Sequence, residues 1–227
     1  MTYRRTLAAS ALAVAALVTT ACSPGADTPE SGGGSAGKPA ARGTALAAVD
    51  TLTVKGRAPK TGYEREKFGR AWVDVDGNGC GTRDDILKRD LAGVRFTDGH
   101  CKVASGTLTD DPYTGTTVSY VRGRSKVDID HVVALSDAWQ KGAQKWDGET
   151  RRRFANDPLN LLAVDAATNR RKSDGDAATW LPPNRAYRCT YVARQVAVKK
   201  KYGVWVTGGE RDAMKKVLAG CPQQKLP

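Results

Sequence analysis

The sequence predicts an α+β fold. Short Val-, Ile- and Leu-rich runs at 127–133 and 160–165 have the character of strands, and 82–91, 136–143, 166–172, 189–202 and 210–218 read as helices. Four cysteines, Cys80, Cys101, Cys189 and Cys221, make an even set behind an export signal, as two disulfides require. The 227 residues, 40 % hydrophobic and 26 % charged, suit one domain with a real core. Gly-X-Y period, sustained heptads and a second long apolar run are all missing, which excludes collagen, coiled coil and polytopic membrane protein.

The chain opens as a signal peptide over 1–21. Arg4 and Arg5 precede a short apolar run at 6–18, and Thr19-Thr20-Ala21 offers the small side chains a signal peptidase needs. Cys22 follows at once and resembles the lipid-acceptor cysteine of a lipoprotein; the alternative is a free secreted protein. Residues 22–45 are rich in Gly, Ser, Pro and Ala, too poor in apolar bulk to order themselves, and read as a tether. The folded domain then spans 46–227. Of the three possible pairings, Cys80–Cys101 and Cys189–Cys221 are favoured because each closes a short loop. Zinc on these cysteines is the weaker alternative, since there is no Cys-x-x-Cys.

Residues 46–54 read as an opening helix or strand. Trp72-Val73-Asp74-Val75-Asp76-Gly77-Asn78-Gly79 resembles the start of an EF-hand loop, with Asp74, Asp76, Asn78 and Asp85 as oxygen ligands for a structural Ca²⁺. A polar Asp/Gly turn pinned by Cys80 is the other reading. Thr82 is placed to cap the helix to Leu91, with Asp84 and Asp85 in its first turn. Residues 97–121 read as short strands and turns. In Val127-Asp128-Ile129-Asp130-His131, alternation puts Val127, Ile129 and His131 on one face and the two aspartates on the other. Asn160–Asp165 is a short apolar strand that runs into helix 166–172.

Charge is one-sided. Residues 43–121 hold 11 basic and 11 acidic groups, whereas 122–227 hold 21 and 11, so the net charge of +12 sits almost wholly in the C-terminal half. Such a half suits a phosphate-rich partner.

Several spaced motifs then fall in order: Asp-His-x-x-x-Leu at 130–135, Ala-Asn-Asp-Pro-x-Asn-Leu at 155–161, Asn-x-x-Lys-x-Asp at 169–174, Trp-Leu-Pro-Pro at 180–183 and Trp-x-Asp-x-Asp-Gly-x-Gly-Cys at 72–80. Together they resemble the secreted HNH endonucleases related to the C-terminal nuclease domain of GmrSD-type restriction enzymes. The resemblance implies a ββα-metal (His-Me finger) core at about 126–175, wrapped by N- and C-terminal elements. It implies His131 as general base, oriented by Asn160, with Asp130 and Asn169 holding a divalent metal. Arg170, Arg171 and Lys172 would hold phosphates. Oxygen ligands point to Mg²⁺, or Mn²⁺, over zinc. The expected substrate is nucleic acid, DNA in preference to RNA, cut with low sequence specificity by a monomer that needs no nucleotide cofactor. His100, Asp174 and Arg83 are read as structural or surface residues. The competing function is a non-catalytic cell-surface protein that binds nucleic acid or anionic polymers through its basic half.

Overall fold

The computed structural model describes residues 41–227; the expected signal peptide, Cys22 and most of the tether lie outside them. An antiparallel strand pair is at the centre: β4 (Val127–His131) against β5 (Leu161–Asp165), in register from Val127↔Asp165 to His131↔Leu161. Helix α5 (Ala166–Lys172) leaves β5 without a loop, because the Asp165 carboxylate accepts from the Thr168 N–H and caps it.

Both faces of this pair are covered. Val127, Ile129, Leu161 and Ala163 pack with Ile86 and Leu87 of α2 (Thr82–Asp90). The same cluster takes in Leu91 and the inner residues of a sheet ordered β1 (Ala92–Phe96), β2 (Val103–Leu108), β3 (Val118–Val121). Leu162 and Val164 instead join α1 (Ala45–Val49), α6 (Arg188–Tyr202) and α7 (Gly208–Ala219). A third cluster, built on Phe68, Trp139 and Phe154, gathers α3 (Leu135–Gln140) and α4 (Gly148–Ala155). The unbroken apolar run of β5 is what a strand with two covered faces requires.

The α+β class and both disulfides are present as read. Cys80–Cys101 ties the start of α2 to the β1–β2 turn, and Cys189–Cys221 ties the first turn of α6 to the end of α7. Three details differ. The opening element is a helix that starts at Ala45, one residue inside the expected tether, capped by Thr44. Gly81, not Thr82, occupies the N-cap of α2, because the Thr82 hydroxyl donates to the Val73 carbonyl. Strand β1 was not expected; its Ala-Gly-Val-Arg-Phe has no clean alternation, and its register with β2 slips twice. No helix of the described residues is long and apolar enough to cross a membrane.

A buried charge cluster fastens α3, α6 and α7 together. The Lys141 ammonium lies 2.6 Å from Asp137, 2.7 Å from Asp176 and 2.6 Å from Glu210. Lys199 reaches the same Glu210 at 2.9 Å and Asp137 at 3.3 Å, and Arg57 closes the rim on Asp137 at 3.0 Å and Asp176 at 2.7 Å. Three cations thus meet three carboxylates, all but Arg57 essentially dry. Removing one cation leaves an uncompensated buried charge, which typically costs about 3–5 kcal/mol. Lys141→Met should therefore lower unfolding free energy by roughly that amount in a urea titration followed by circular dichroism.

The cluster also sets a pH window. Burial pushes the Asp176 carboxyl up, but the hydrogen bond and charge of Lys141, with Arg57, hold it below its ordinary 3.8. Its contribution is complete above that value and is lost as pH falls through the lowered pKa. Burial pushes Lys199 down, yet Glu210 and Asp137 hold it above its ordinary 10.5. That contribution is complete below 10.5 and is lost as pH rises through the raised pKa. The melting temperature of the oxidised protein should lose the Asp176 share only below about pH 4 and the Lys199 share only above about pH 10.5. A Lys141→Met melting curve should fall off at a higher pH on the acid side.

Candidate active site

His131 ends β4, where the strand pair opens. Its Nε2 lies 2.8 Å from the Ala155 carbonyl oxygen at the end of α4. A carbonyl only accepts, so Nε2 carries the proton and Nδ1 keeps its lone pair. The ring is 7 % exposed. Burial pulls its pKa down from 6.5 to about 3, against the opposing pull of the Ala155 carbonyl, so the imidazole is neutral at ordinary pH.

Asp130 points to the other face of β4 and is buried, which alternation alone did not foretell; that face is covered by Tyr113 and α5. The Tyr113 hydroxyl donates to Oδ2, and the Lys172 ammonium lies 3.0 Å from Oδ1. Lys172 also donates to the His131 carbonyl at 2.9 Å. Lys172 is therefore 2 % exposed and committed to β4, while Arg170 and Arg171 of the same helix face solvent. Burial raises the Asp130 carboxyl above its usual range, although the Lys172 charge and the Tyr113 hydroxyl pull the other way.

Asn169 stands one turn before the end of α5, with its amide nitrogen 3.3 Å from Asp128 Oδ2. Among the described residues its amide oxygen accepts no hydrogen bond. Asn160 is fully buried and makes no hydrogen bond to the imidazole among the described residues. Its Oδ1 accepts from the Val133 N–H at 2.9 Å, its amide reaches the Val133 and Phe154 carbonyls at 3.3 and 3.5 Å, and its own carbonyl accepts from Val132. It pins the chain on both sides of the imidazole: the turn after His131, and the residue before Ala155.

Asp130, His131 and Asn169 line one polar cleft of about 340 Å³ with Lys60, Tyr63, Arg65, Ser136 and Asp174. Asp174 joins the rim, accepting from Lys60 at 3.1 Å and Ser136 at 3.0 Å. Arg171 and Lys172 line a second cleft that shares Lys60 and Asp174 with the first. Lys60, Arg65 and Tyr113 carry no local motif, and residue types alone did not single them out. Their place is set by contacts across 40 or more residues, or, for Tyr113, by a loop folding back on β4.

The donors facing the first cleft are hard oxygens: the Asp130 carboxylate and the free amide oxygen of Asn169, with Asp128 beside it. A carboxylate has about four lone-pair directions, and Asp130 uses two. This donor set fits Mg²⁺ or Mn²⁺ and offers nothing to a soft metal. The group of metal-ligating side chains that gathers most closely elsewhere among the described residues is Cys80, His100 and Cys101, but its two sulfurs are joined in a disulfide. Of the expected calcium ligands, Asp74, Asp76 and Asn78 sit on one exposed loop and Asp85 in the first turn of α2. Asp74 accepts the N–H groups of Gly77, Asn78 and Gly79, and the Asn78 amide bridges Asp76 and Asp85. Asp74, Asp76 and Asp85 do not converge as a set of three within 4.8 Å.

Known proteins give the same direction. An uncharacterized secreted protein of Arthroderma benhamiae is 40 % identical over 180 residues, which cover 78 % of this chain and 85 % of that protein. The family model described as the C-terminal domain of GmrSD restriction endonucleases matches residues 81–217, a stretch that holds β4, β5, α5 and the whole cleft apart from Lys60, Tyr63 and Arg65. The chain belongs to the family of the GmrSD restriction endonuclease C-terminal domain.

Proposed function

We propose that β4, β5 and α5 form the ββα-metal core of an HNH-type endonuclease, exported from the cell, that hydrolyses phosphodiester bonds of DNA with low sequence specificity. One observation carries this reading. A neutral histidine, with one ring nitrogen committed to a carbonyl, opens onto the same cleft as a carboxylate and a free amide oxygen, rimmed by cations. Family membership supports nuclease chemistry on nucleic acid, and the relative's description as secreted agrees with export.

His131 Nδ1 would take a proton from the attacking water, because the Ala155 carbonyl holds the ring and fixes its tautomer. Asp130 and Asn169 would hold a divalent cation, Mg²⁺ before Mn²⁺, which supplies charge to offset that developing on the phosphoryl and leaving oxygens. Tyr113 and Lys172 fix the Asp130 carboxylate, so it is already oriented before substrate arrives. Lys60, Arg65 and Arg171 would hold the phosphates on either side of the scissile bond. Lys172 supports Asp130 in place of a direct phosphate contact, and Asn160 positions both segments that frame the base. Phosphate contacts carry no base information, which accounts for low specificity.

His131→Ala should lower plasmid nicking at saturating Mg²⁺ by about 10²–10⁴-fold, the usual worth of a placed general base, with an unchanged circular dichroism spectrum. A folded variant that nicks at the wild-type rate refutes the assignment. Arg171→Ala should weaken binding of unrelated duplexes by equal factors and reduce the slope of log affinity against log salt by about one. Unequal losses across sequences would show that Arg171 reads bases.

A further inference from the structure

Behind His131, on the side away from Asp130, lies a second cavity of about 400 Å³. Phe68, Trp72, Leu135 and Ala155 supply its apolar wall, and Arg65 and Arg70 stand at it. It shares His131, Arg65 and Leu135 with the polar cleft, so the two hollows meet at the proposed base. The Trp72 indole lies near-parallel to the imidazole, with 19° between planes and 6.3 Å between centroids. The Arg83 guanidinium sits over the indole, 5.7 Å from its centroid, and holds its plane. Trp72 lies in a turn and is partly buried by packing against the cluster of α2 and the three-stranded sheet, and its φ of +59° is one that a bulky residue rarely adopts. Backbone held in that region is over-determined by its surroundings, as happens where a side chain must be aimed. Arg65 and Arg70 are solvent-exposed and make no ion pair among the described residues.

We propose that this cavity is a subsite for one unstacked nucleobase next to the scissile phosphate, with Trp72 as its stacking platform and Arg65 and Arg70 on the neighbouring phosphates. The inference deepens the endonuclease reading and rests on it. A planar aromatic wall beside a rim of free cations is the combination that single-stranded nucleic acid takes up, because every base has a π-face and every linkage a charge. A base inside a duplex is stacked on both sides and cannot enter a pocket without being pulled out. Single-stranded or locally unpaired nucleic acid is therefore the preferred substrate, and Trp72 is a specificity-determining residue.

The test is a cleavage map with Mg²⁺ of two end-labelled thymidine dodecamers, one of them carrying a single abasic sugar at its centre. The wild-type protein should cut the uniform strand along its length. In the abasic strand, one of the two linkages flanking the missing base should be cut about tenfold less, the size expected from one lost base–aromatic stack. Trp72→Leu should cut more slowly and erase that dip, while Trp72→Phe, which keeps a ring, should retain a shallower one. The Phe variant decides the matter if the Leu variant is too damaged to cleave. Equal cutting at both flanks by the wild type, or a full dip in Trp72→Leu, overturns the subsite and leaves the endonuclease reading standing. A wild type inert on both strands and on plasmid overturns the endonuclease reading and the subsite with it.

Discussion

The site depends on one ion pair. Lys172 and Asp130 meet at 3.0 Å in a nearly dry interior, and the same ammonium holds the carbonyl of the next residue, His131. Through that contact the last turn of α5 is fastened to the last residues of β4, and the Tyr113 hydroxyl brings in the β2–β3 connection from the other side. A buried carboxylate without such partners would take up a proton, and a protonated acid could hold no cation. The pair keeps a negative charge where the surrounding packing opposes one. It also fixes the strand end that presents the imidazole, so carboxylate and imidazole are positioned by the same few atoms.

Covering both faces of β4–β5 makes this arrangement possible. α2 and the three-stranded sheet take one face; α1, α6 and α7 take the other. The strand pair cannot slip register without moving every apolar side chain of β5 to the wrong cluster. Rigid support of this kind is what a preorganised centre requires. The Lys141 cluster does the same for the helices behind it, where six charged groups neutralise one another. Lys141, Lys172 and Lys199 all come from the basic half of the chain, but so do their partners Asp137, Asp176, Glu210 and Asp130, so the surplus charge of that half stays at the surface. The cations that rim the clefts come from both halves, with Lys60, Arg65 and Arg70 from the neutral one.

The local pieces were legible in the sequence because local signals write them. Helix 166–172 follows from the apolar strand 160–165 that runs into it, and the cysteine pairing follows from loop length. The ordered motifs pointed to the family that the comparisons show. What residue types could not tell is which face of a strand is covered. Alternation placed Asp130 on the face opposite His131 without saying what covers it, and the return of Tyr113 and Lys172 buries it. Asn160 read as a direct partner of His131; its hydrogen bonds go instead to Val133, two residues further on, and to Phe154, the residue before Ala155. Trp72, nearly 60 residues from the imidazole it faces, was visible only as part of a motif.

The central claim is that Asp130 and Asn169 hold the working cation beside His131. Anomalous diffraction from crystals of the mature protein soaked in Mn²⁺ tests it most directly. The account predicts a peak within coordination distance of the Asp130 carboxylate and the Asn169 amide oxygen, lost in Asp130→Ala crystals. A peak confined to the Asp74–Asp76 loop, or none at the cleft at saturating Mn²⁺, would contradict it.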